Sequence, residues 1–343
     1  MIHILELPQN KIITSSTFKN VDKKKLEEFV ISHPNGNIFQ STRIYEFFNL
    51  VNNYEPNLIV LYENNKIIGS LLFVIVKEGN GVKGYLSRRC IVWGGPLVND
   101  NNNRIYLYIL TYFNKITSKR LIYTEFRNYC DITMQKDVFK NAGYMFFDHF
   151  NYLISIISLE KSKAKISNSK KRQINISIKN GAKIIEADSI EKVKEFYNIL
   201  KILYLDKIKK PIPSFDFFEE FFKSKKLGKY FLILYKENVI GGILCPIYKD
   251  TIYEWFVCGL DREFKNVYPS VLATWAPIQY AANNGLKYFD FMGAGKPDQD
   301  YGVREFKSKF GGKLVNFGRF IKIHNHFFYN LGKNIIELKQ KLL

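Results

Sequence analysis

The chain contains one structural pattern twice. LIVLYENNKIIGSLL, Leu58–Leu72, and FLILYKENVIGGIL, Phe231–Leu244, each consist of an apolar run, a turn of charged and amide residues, and a second apolar run that begins near a glycine. Such a pattern predicts a β-hairpin. When one residue is dropped from the turn, Tyr62 aligns with Tyr235. Two similar hairpins indicate a duplicated folding unit.

The segments around the hairpins also correspond. Each hairpin is followed by a segment with helical spacing of apolar residues and then by a strand-like run. These are Arg104–Ser118 with Leu121–Phe126 in the first copy, and Tyr268–Asn284 with Leu286–Phe291 in the second. Two predicted helices precede each hairpin: Asp22–Ser32 and Thr42–Asn52, then Ser189–Asp206 and Ser214–Lys226. The order predicts an α/β (α+β) protein of two tandem domains, whose mixed, largely antiparallel sheets are flanked by helices.

A length of 343 residues agrees with two domains of similar size. The seam is expected near Leu153–Leu159, where a strand-like segment gives way to a charged one. We therefore expect an N-terminal domain at 1–155 and a C-terminal domain at 156–343. The second domain would include a basic inter-domain helix at 167–181 and a C-terminal helix within Asn325–Leu343, which either docks on the protein or lies on a membrane.

A basic helix is predicted at this seam. Lys161–Lys183 contains eight basic residues and no acidic one. Ser167 or Ser169 would cap the helix, and Gly181 would end it. Three cations, Lys170 to Arg172, then fall in the first turn, where the helix dipole disfavours positive charge. This placement indicates an anionic ligand, although a solvated surface helix is the simpler alternative.

The net charge of +19 also points to an anionic partner, such as RNA, a phosphorylated substrate or an anionic membrane surface. Abundant Lys, Asn and Ile suggest that an AT-rich genome contributes to the excess. Met1–Lys11 lacks the apolar stretch of a signal peptide, and no run approaches the roughly 18 apolar residues of a membrane span. We expect a cytoplasmic protein, with peripheral contact at the inner face of the membrane as an option. The scattered Cys and His residues predict no metal site.

The stretch FDFMGAGKPDQDYGVREFKSKFGG, Phe289–Gly312, holds the strongest candidate site. Its alternating strand ends at a Gly-Ala-Gly sequence, and a short helix, Tyr301–Phe310, follows a polar loop. Arg304 and Lys307 are three residues apart and share one face of this helix. Two cations beside a glycine-rich strand end can hold a phosphate or carboxylate, or stabilise an oxyanion. A purely structural glycine loop is the alternative.

The order GLKYFDFMGAG…GVREFKSKFGG resembles the C-terminal signature of the Fem-type peptidyltransferases, the aminoacyl-tRNA-dependent enzymes of peptidoglycan bridge formation. The positions that carry this resemblance are Gly285, Asp290, Gly293, Phe306, Lys307, Phe310 and Gly311. HPNGNIFQS, WGGPL and KKRQINISIKNGAKI resemble, in turn, the N-terminal motif, the Gly-Pro loop and the basic helix of the same family. The resemblance extends from His33 to Phe320.

The resemblance implies two tandem acyltransferase domains of the GNAT type and transfer of an aminoacyl group from tRNA to an amine of a cell-wall, peptidoglycan-type precursor. It implies catalytic roles for Lys307 and Phe306, and contact of Arg172 with precursor phosphates. We assign Arg304, Gly293, Gly295 and Asp290 to the same substrate-binding edge.

Two departures from the family pattern stand out. The tyrosine expected one turn after the basic-helix arginine is Ile176, and Thr42–Asn52 offers no counterpart of a family lysine that binds the precursor. The acceptor therefore need not be a standard peptidoglycan precursor.

Two other functions remain open. An N-acyltransferase that uses acetyl-CoA or acyl-CoA would act on an amino sugar or another envelope glycan precursor. Its usual pyrophosphate loop has only a partial match, Gln299-x-x-Gly302-x-Arg304, which lacks the last glycine. A non-enzymatic protein that binds RNA or anionic lipid is the other alternative. The hypothesis of aminoacyl transfer requires no cofactor beyond the donor tRNA. The partners of the protein would then be tRNA and a phosphorylated or lipid-linked precursor.

Overall fold

A computed structural model describes residues 21–79, 81–119, 121–208, 211–298 and 302–342. Met1–Lys11, Gln299 and Tyr301, on which some predictions fell, lie outside the described residues. Contacts divide the described chain into two compact units. The first unit takes the described parts of Met1–Asp148 and Phe317–Leu338, and the second takes those of His149–Asn316 and Lys339–Leu343.

The first unit contains a mixed sheet of seven strands within the described residues. Its helices are α1 (Lys23–Ser32), α2 (Thr42–Leu50), α3 (Gly81–Tyr85), α4 (Asn103–Thr117) and α5 (Lys136–Asn141). Its strands are β1 (Tyr54–Glu63), β2 (Lys66–Val76), β3 (Arg89–Trp93), β4 (Leu97–Val98), β5 (Tyr123–Arg127), β6 (Met145–Phe147) and β15 (Arg319–Ile323). The strand order is β1-β2-β3-β5-β15-β6, with β4 also on β2. Only the β3–β5 pair among these described strands is parallel.

The second unit contains a mixed sheet of eight described strands. Its helices are α6 (Leu159–Lys165), α7 (Asn168–Lys179), α8 (Ile190–Leu203), α9 (Phe215–Lys223), α10 (Pro269–Asn283) and α11 (Gly302–Ser308). Its strands are β7 (Phe150–Ser155), β8 (Lys183–Glu186), β9 (Gly228–Tyr235), β10 (Asn238–Tyr248), β11 (Thr251–Tyr253), β12 (Phe256–Gly259), β13 (Tyr288–Asp290) and β14 (Lys313–Asn316). The order is β14-β7-β13-β11-β10-β9-β8, with β12 also on β10. Here the parallel pair is β11–β13.

Both predicted hairpins form, and their turns are closer in length than the sequence alignment suggested. Each turn has two central residues with positive φ, Asn64 and Asn65 in the first copy and Lys236 and Glu237 in the second, which is the geometry of a type I′ turn. No residue is missing from the second turn. The register therefore makes Tyr235 the counterpart of Glu63, because each is the last strand residue before its turn.

The flanking helices and strands follow the same order in both units, so the predicted duplication and the fold class of two tandem mixed α/β domains are confirmed. The basic segment forms α7, with Ser167 as its N-cap. The helix predicted at Tyr301–Phe310 forms the shorter α11. A turn of charged and amide residues in each hairpin and serine at the helix starts are the local signals that made these elements predictable.

Each unit has its own hydrophobic core. In the first unit, aromatic rings are prominent in the core, and Phe139 stacks on Phe320 with ring centroids 4.0 Å apart. In the second unit, α10 is apolar on most of its surface and its Trp275 is fully buried. A helix that is apolar on most sides belongs inside a domain, so α10 organises the second core.

The structure shifts the expected boundaries of 1–155 and 156–343. β7 pairs with β13 and β14 of the second sheet, so the second unit begins near residue 149. β15 pairs with β5 and β6 of the first sheet, so the chain returns to the first unit near residue 317. Sequence order could not show this return, because strand pairing across almost 200 residues leaves no local pattern.

The C-terminal stretch forms α12 (His326–Leu342). Its first turn is attached to the first unit, where the Tyr329 ring lies 5.4 Å from that of Tyr123. Phe327 and Leu331 are exposed. No helix within the described ranges combines the length and apolar character that a membrane crossing requires.

A largely buried charge cluster joins β15 to β5. Glu125 accepts hydrogen bonds from Arg127 (2.9 Å) and from Arg319 (2.7 Å) through its two carboxylate oxygens. Burial alone would raise the pKa of Glu125, but the two guanidinium groups lower it to about 2. Because this pKa lies below the ordinary value, the cluster stabilises the fold above about pH 4.5 and loses that contribution as the pH falls toward 2.

We predict that Glu125→Ala lowers the free energy of unfolding by about 3 kcal/mol, because two guanidinium groups lose their partner in a largely buried place. Glu78→Ala is the matched control, since it breaks a more exposed ion pair with Arg89 and should cost less than about 1 kcal/mol. Urea denaturation at pH 7 measures both, and the difference should shrink near pH 3. Equal losses in the two variants would contradict this account of the cluster.

Candidate active site

The second sheet opens where its two parallel strands end. β11 and β13 are paired up to Tyr253 and Asp290, and the amide of Glu254 donates to the Asp290 carbonyl at 2.8 Å. Beyond this point the chain of β11 continues along β10 as β12. Phe291 instead donates to the Tyr152 carbonyl and stays beside β7. Ligands often bind where neighbouring parallel strands end and diverge, so this opening is the natural place for a site.

Three charged side chains meet at the opening although they are almost fully buried. Glu254 follows β11 and is 6% exposed, Asp290 ends β13 and is 3% exposed, and Lys307 on α11 is 7% exposed. Burying a charge is costly unless it is paired. Their hydrogen bonds therefore determine how the loop and the helix around them are arranged.

Lys307 makes three close polar contacts. Its Nζ lies 2.8 Å from Glu254 Oε1, 3.1 Å from the Phe291 carbonyl and 2.8 Å from the Gly293 carbonyl. An ammonium group has three N–H donors, so these contacts use all of them. Lys307 thus links the ends of both parallel strands, and a direct hydrogen bond to a substrate requires it to release one carbonyl.

Glu254 is only half satisfied. Oε1 bonds to Lys307, whereas Oε2 is buried and has no hydrogen-bond partner among the described residues. Burial raises the pKa of Glu254, and the nearby Lys307 ammonium opposes this rise. A buried carboxylate oxygen without a partner is unusual and is a sign of a functional group.

Asp290 is tied to the Asn151 side chain on β7 and to the backbone just after β13. Its Oδ1 accepts from Asn151 Nδ2 at 2.7 Å and from the Met292 amide at 2.6 Å. Burial raises the pKa of Asp290 to about 6, against the effect of these two hydrogen bonds and of Lys307. The predicted site residue Asp290 is therefore at the opening, where it fixes the first turn of the loop.

Arg304 supports the glycine loop and does not point freely toward a ligand. Its guanidinium donates to the carbonyls of Ala294 (2.9 Å), Pro297 (3.4 Å) and Lys296. Gly293 and Gly295, the other predicted loop residues, have φ values of 151° and 79°. Such positive φ values favour glycine, so the loop shape explains why glycine occurs at both positions.

Phe306 connects α11 to the basic helix. Its ring lies 5.3 Å from that of Phe310 and 4.3 Å from Lys170 Nζ. Lys170 also donates to Gln173, and burial lowers its pKa. Lys170 is therefore a packing residue. Its position in the first turn of α7, one of three cations there, is explained by these contacts and requires no anionic ligand.

Arg172 is exposed on α7 and forms no ion pair or hydrogen bond with the part of the chain that is described. The structure does not bring it into contact with Lys307. It remains available to an anionic ligand, whereas Ile176, one turn later, is half-buried.

The first unit repeats the backbone of this opening with different side chains. Its parallel strands are paired up to Trp93 and Arg127, and the amide of Gly94 donates to the Arg127 carbonyl at 2.8 Å. Gly94 thus occupies the position of Glu254, and Arg127 that of Asp290. A Cβ atom at Gly94 would lie 2.2 Å from the Asn37 side chain, so no carboxylate fits there.

Glu254 was missed by sequence reasoning. Its one signal is a single acidic residue inside the apolar run Ile252–Cys258, IYEWFVC. Strand periodicity alone cannot tell whether such a residue faces solvent or the interior. The pairing of β11 with β13 settles the question by placing Glu254 beside Lys307.

Solved structures with the same architecture support the fold. The crystal structure of FemX matches with a TM-score of 0.69 and 15% identity, over 91% of this chain and 98% of FemX. L-PGS from Bacillus licheniformis matches with a TM-score of 0.56 and 14% identity, over 89% of this chain and 92% of that one. A tandem GNAT protein from the clavulanic acid biosynthesis pathway matches with a TM-score of 0.58 and 8% identity, over 88% of this chain and 95% of that one. Identities this low establish the fold alone.

The fold is that of two tandem GNAT-like domains. Residues 234–336 match the model of the FemAB family, and this segment includes Glu254, Asp290, Arg304 and Lys307. The resemblance to the Fem-type family that the motifs indicated is thereby confirmed. A search of curated protein sequences gave no match.

We predict that Arg304→Ala loosens the glycine loop, because three loop carbonyls lose their donor. Amide exchange across residues 293–298 should become faster, and the free energy of unfolding should fall by about 1 kcal/mol. Hydrogen–deuterium exchange and urea denaturation measure these changes. Arg262→Ala removes the same charge from an exposed position in the same unit and should change neither quantity; unchanged loop exchange in Arg304→Ala would refute the supporting role.

Proposed function

We propose that the protein forms an amide bond by transferring an aminoacyl group from aminoacyl-tRNA to an amine of a cell-wall, peptidoglycan-type precursor. The observation that carries this proposal is the buried Lys307–Glu254 pair at the sheet opening, inside the segment that matches the FemAB family. An opening lined by one cation and two carboxyl groups suits acyl transfer to an amine. In that reaction negative charge develops on the carbonyl oxygen, which a cation stabilises, and the amine loses a proton, which a carboxylate can accept.

In the proposed reaction the acceptor amine attacks the ester carbonyl carbon of the donor, and negative charge develops on the carbonyl oxygen. The Lys307 ammonium lies at the strand end where this oxygen would be placed. By releasing the Gly293 carbonyl, Lys307 can donate one hydrogen bond to the oxyanion while Glu254 and Phe291 keep it in position. Phe306 contributes by holding α11 against the basic helix.

The start of α10 favours tRNA over acyl-CoA as the donor. A helix N-terminus can bind pyrophosphate through its free amides. Here Asp261 accepts hydrogen bonds from the amide (3.2 Å) and hydroxyl of Ser270 in the first turn of α10. Its carboxylate covers the positive end of the helix and would repel a phosphate. This observation supports the aminoacyl donor and disfavours acetyl-CoA or acyl-CoA.

The basic helix supports a phosphorylated or lipid-linked precursor as the acceptor. Arg172 is exposed on α7, and the segment from Lys161 to Lys183 carries no acidic residue. A free guanidinium group binds phosphate well because it can donate two parallel hydrogen bonds. Aminoacyl-tRNA is a cytoplasmic donor, so the proposal places the reaction in the cytoplasm, with peripheral contact at the inner membrane face for a lipid-linked acceptor.

A transfer assay tests the donor and the acceptor together. The purified chain is incubated with charged total tRNA or with acetyl-CoA, and with either a nucleotide-linked muropeptide or lipid-linked precursor in vesicles. Mass spectrometry should detect an aminoacyl addition with charged tRNA. Product from acetyl-CoA alone would favour the N-acyltransferase alternative, and salt-sensitive binding without product would favour a protein that only binds RNA or lipid.

We predict that Lys307→Gln lowers the turnover number about 10²–10³-fold, because the developing oxyanion loses a positioned donor and its charge. Glutamine can still donate a hydrogen bond to Glu254, which limits the loss of stability. The matched control is Lys309→Ala, since Lys309 pairs with Glu305 at the surface and should leave turnover unchanged. Thermal unfolding confirms that both variants are folded; wild-type turnover in Lys307→Gln would end this role for Lys307.

We predict that Arg172→Ala raises the KM for the acceptor about tenfold and leaves the turnover number nearly unchanged. Loss of one charge-assisted hydrogen bond, worth about 1.5 kcal/mol, accounts for the size of the change. Lys179→Ala, at the opposite end of α7, is the control for general loss of positive charge. Steady-state kinetics at several salt concentrations distinguish the two; equal KM changes would mean that Arg172 makes no specific contact.

A further inference from the structure

The proposed reaction needs a group that accepts a proton from the attacking amine, and the two cations identified from sequence do not provide one. Lys307 and Arg304 are hydrogen-bond donors, already directed at Glu254 and at loop carbonyls. We propose that Glu254 is the general base of this acyl transfer: Oε1 holds Lys307, and Oε2 takes the proton of the amine. The inference rests on the proposed function and adds a catalytic residue to it.

The position of Glu254 carries the proposal. It follows β11 at the edge where β11 and β13 separate, and its Oε1 lies 2.8 Å from Lys307 Nζ. Its Oε2 is buried and has no hydrogen-bond partner among the described residues. One carboxylate oxygen is therefore fixed beside the group that stabilises the oxyanion, while the other has free acceptor capacity at the same place.

The other carboxyl groups near the opening are already committed. Asp290 Oδ1 accepts from Asn151 and from the backbone, so this group holds the loop. Asp261 accepts from Ser270 at the start of α10. Glu305 is exposed and bonds to Lys309 at 2.6 Å. Of the described carboxylates on these elements, Glu254 is the one with an unpartnered buried oxygen.

The surroundings of Glu254 also suit a base. Burial raises the pKa of its carboxyl, and Lys307 opposes the rise. Titratable groups face it from three elements: Lys307 on α11, Asp290 on β13 and Cys245 on β10. A carboxylate with a raised pKa takes a proton from an amine more readily than an ordinary exposed carboxylate does.

Comparison of the two copies points the same way. The equivalent backbone position in the first unit is Gly94, which forms the same 2.8 Å hydrogen bond to the opposite strand but has no side chain. The backbone of the opening therefore does not require a carboxylate. Glu254 is an addition specific to the second copy, where the family signature and Lys307 are found.

The step balances without another reactant. The amine nitrogen forms a bond to the ester carbonyl carbon, and its proton passes to Glu254 Oε2. The tetrahedral intermediate then breaks the bond between that carbon and the ribose oxygen. The ribose oxygen takes the proton from Glu254, which regenerates the carboxylate and releases tRNA with a free hydroxyl group.

Glu254→Gln tests the proposal, because glutamine keeps an oxygen for Lys307 but cannot accept the proton. Single-turnover transfer from preformed aminoacyl-tRNA should slow about 10²–10⁴-fold. In the wild type, the rate should rise with pH until Glu254 is ionised, and this rise should disappear in Glu254→Gln. It should persist in Asp290→Asn, which removes the other buried carboxyl. Circular dichroism and thermal unfolding verify that the variants are folded.

A second variant separates catalysis from the positioning of Lys307. Glu254→Ala leaves room for a small carboxylate, so added formate should restore part of its activity, whereas formate should not restore Lys307→Gln. A Glu254→Gln rate within about threefold of the wild type would overturn the proposal. The proposal would also be overturned if Glu254→Gln were slow but kept the wild-type pH dependence and formate did not restore any activity to Glu254→Ala. That combined result would mean that Glu254 is a purely structural residue. A wild type that transfers nothing would instead overturn the proposed function itself.

Discussion

The arrangement of the second unit around its site depends on the ion pair between Lys307 and Glu254. Taking two charges out of water is costly, and their attraction repays that cost only when the geometry is good and further hydrogen bonds are made. The Phe291 and Gly293 carbonyls supply those bonds. The pair therefore fixes where α11 lies against β11 and β13. Because burying the two charges is costly, a contribution to stability alone does not explain why the pair is present.

The loop after β13 takes its shape from the same helix. Lys307 and Arg304 on α11 bind carbonyl groups along residues 291–297, which turns these carbonyls toward the helix. The backbone can do this only with positive φ at Met292, Gly293 and Gly295. Glycine is thus needed for conformation, and the two cations that looked like ligand-binding residues also maintain the loop.

The two copies show how one backbone supports different chemistry. Both have a parallel strand pair that ends in the same hydrogen bond, from Gly94 to Arg127 and from Glu254 to Asp290. In the first copy the strand ends bear guanidinium groups around one carboxylate, Glu125. In the second copy they bear two carboxyl groups around one ammonium. The fold supplies the opening, and a few side chains decide what it can do.

The sequence by itself determined the elements, their duplication and the segment that contains the site. Turn residues, helix caps and apolar periodicity act over a few positions, so Asn64, Ser167 and Gly293 could be interpreted without a structure. Only the tertiary structure decided that β15 returns to the first sheet, that Arg304 and Lys170 have internal partners, and that Glu254 is the partner of Lys307. Glu254 and Lys307 are more than 50 residues apart in the chain. Their contact depends on strand pairing and burial, which no local pattern records.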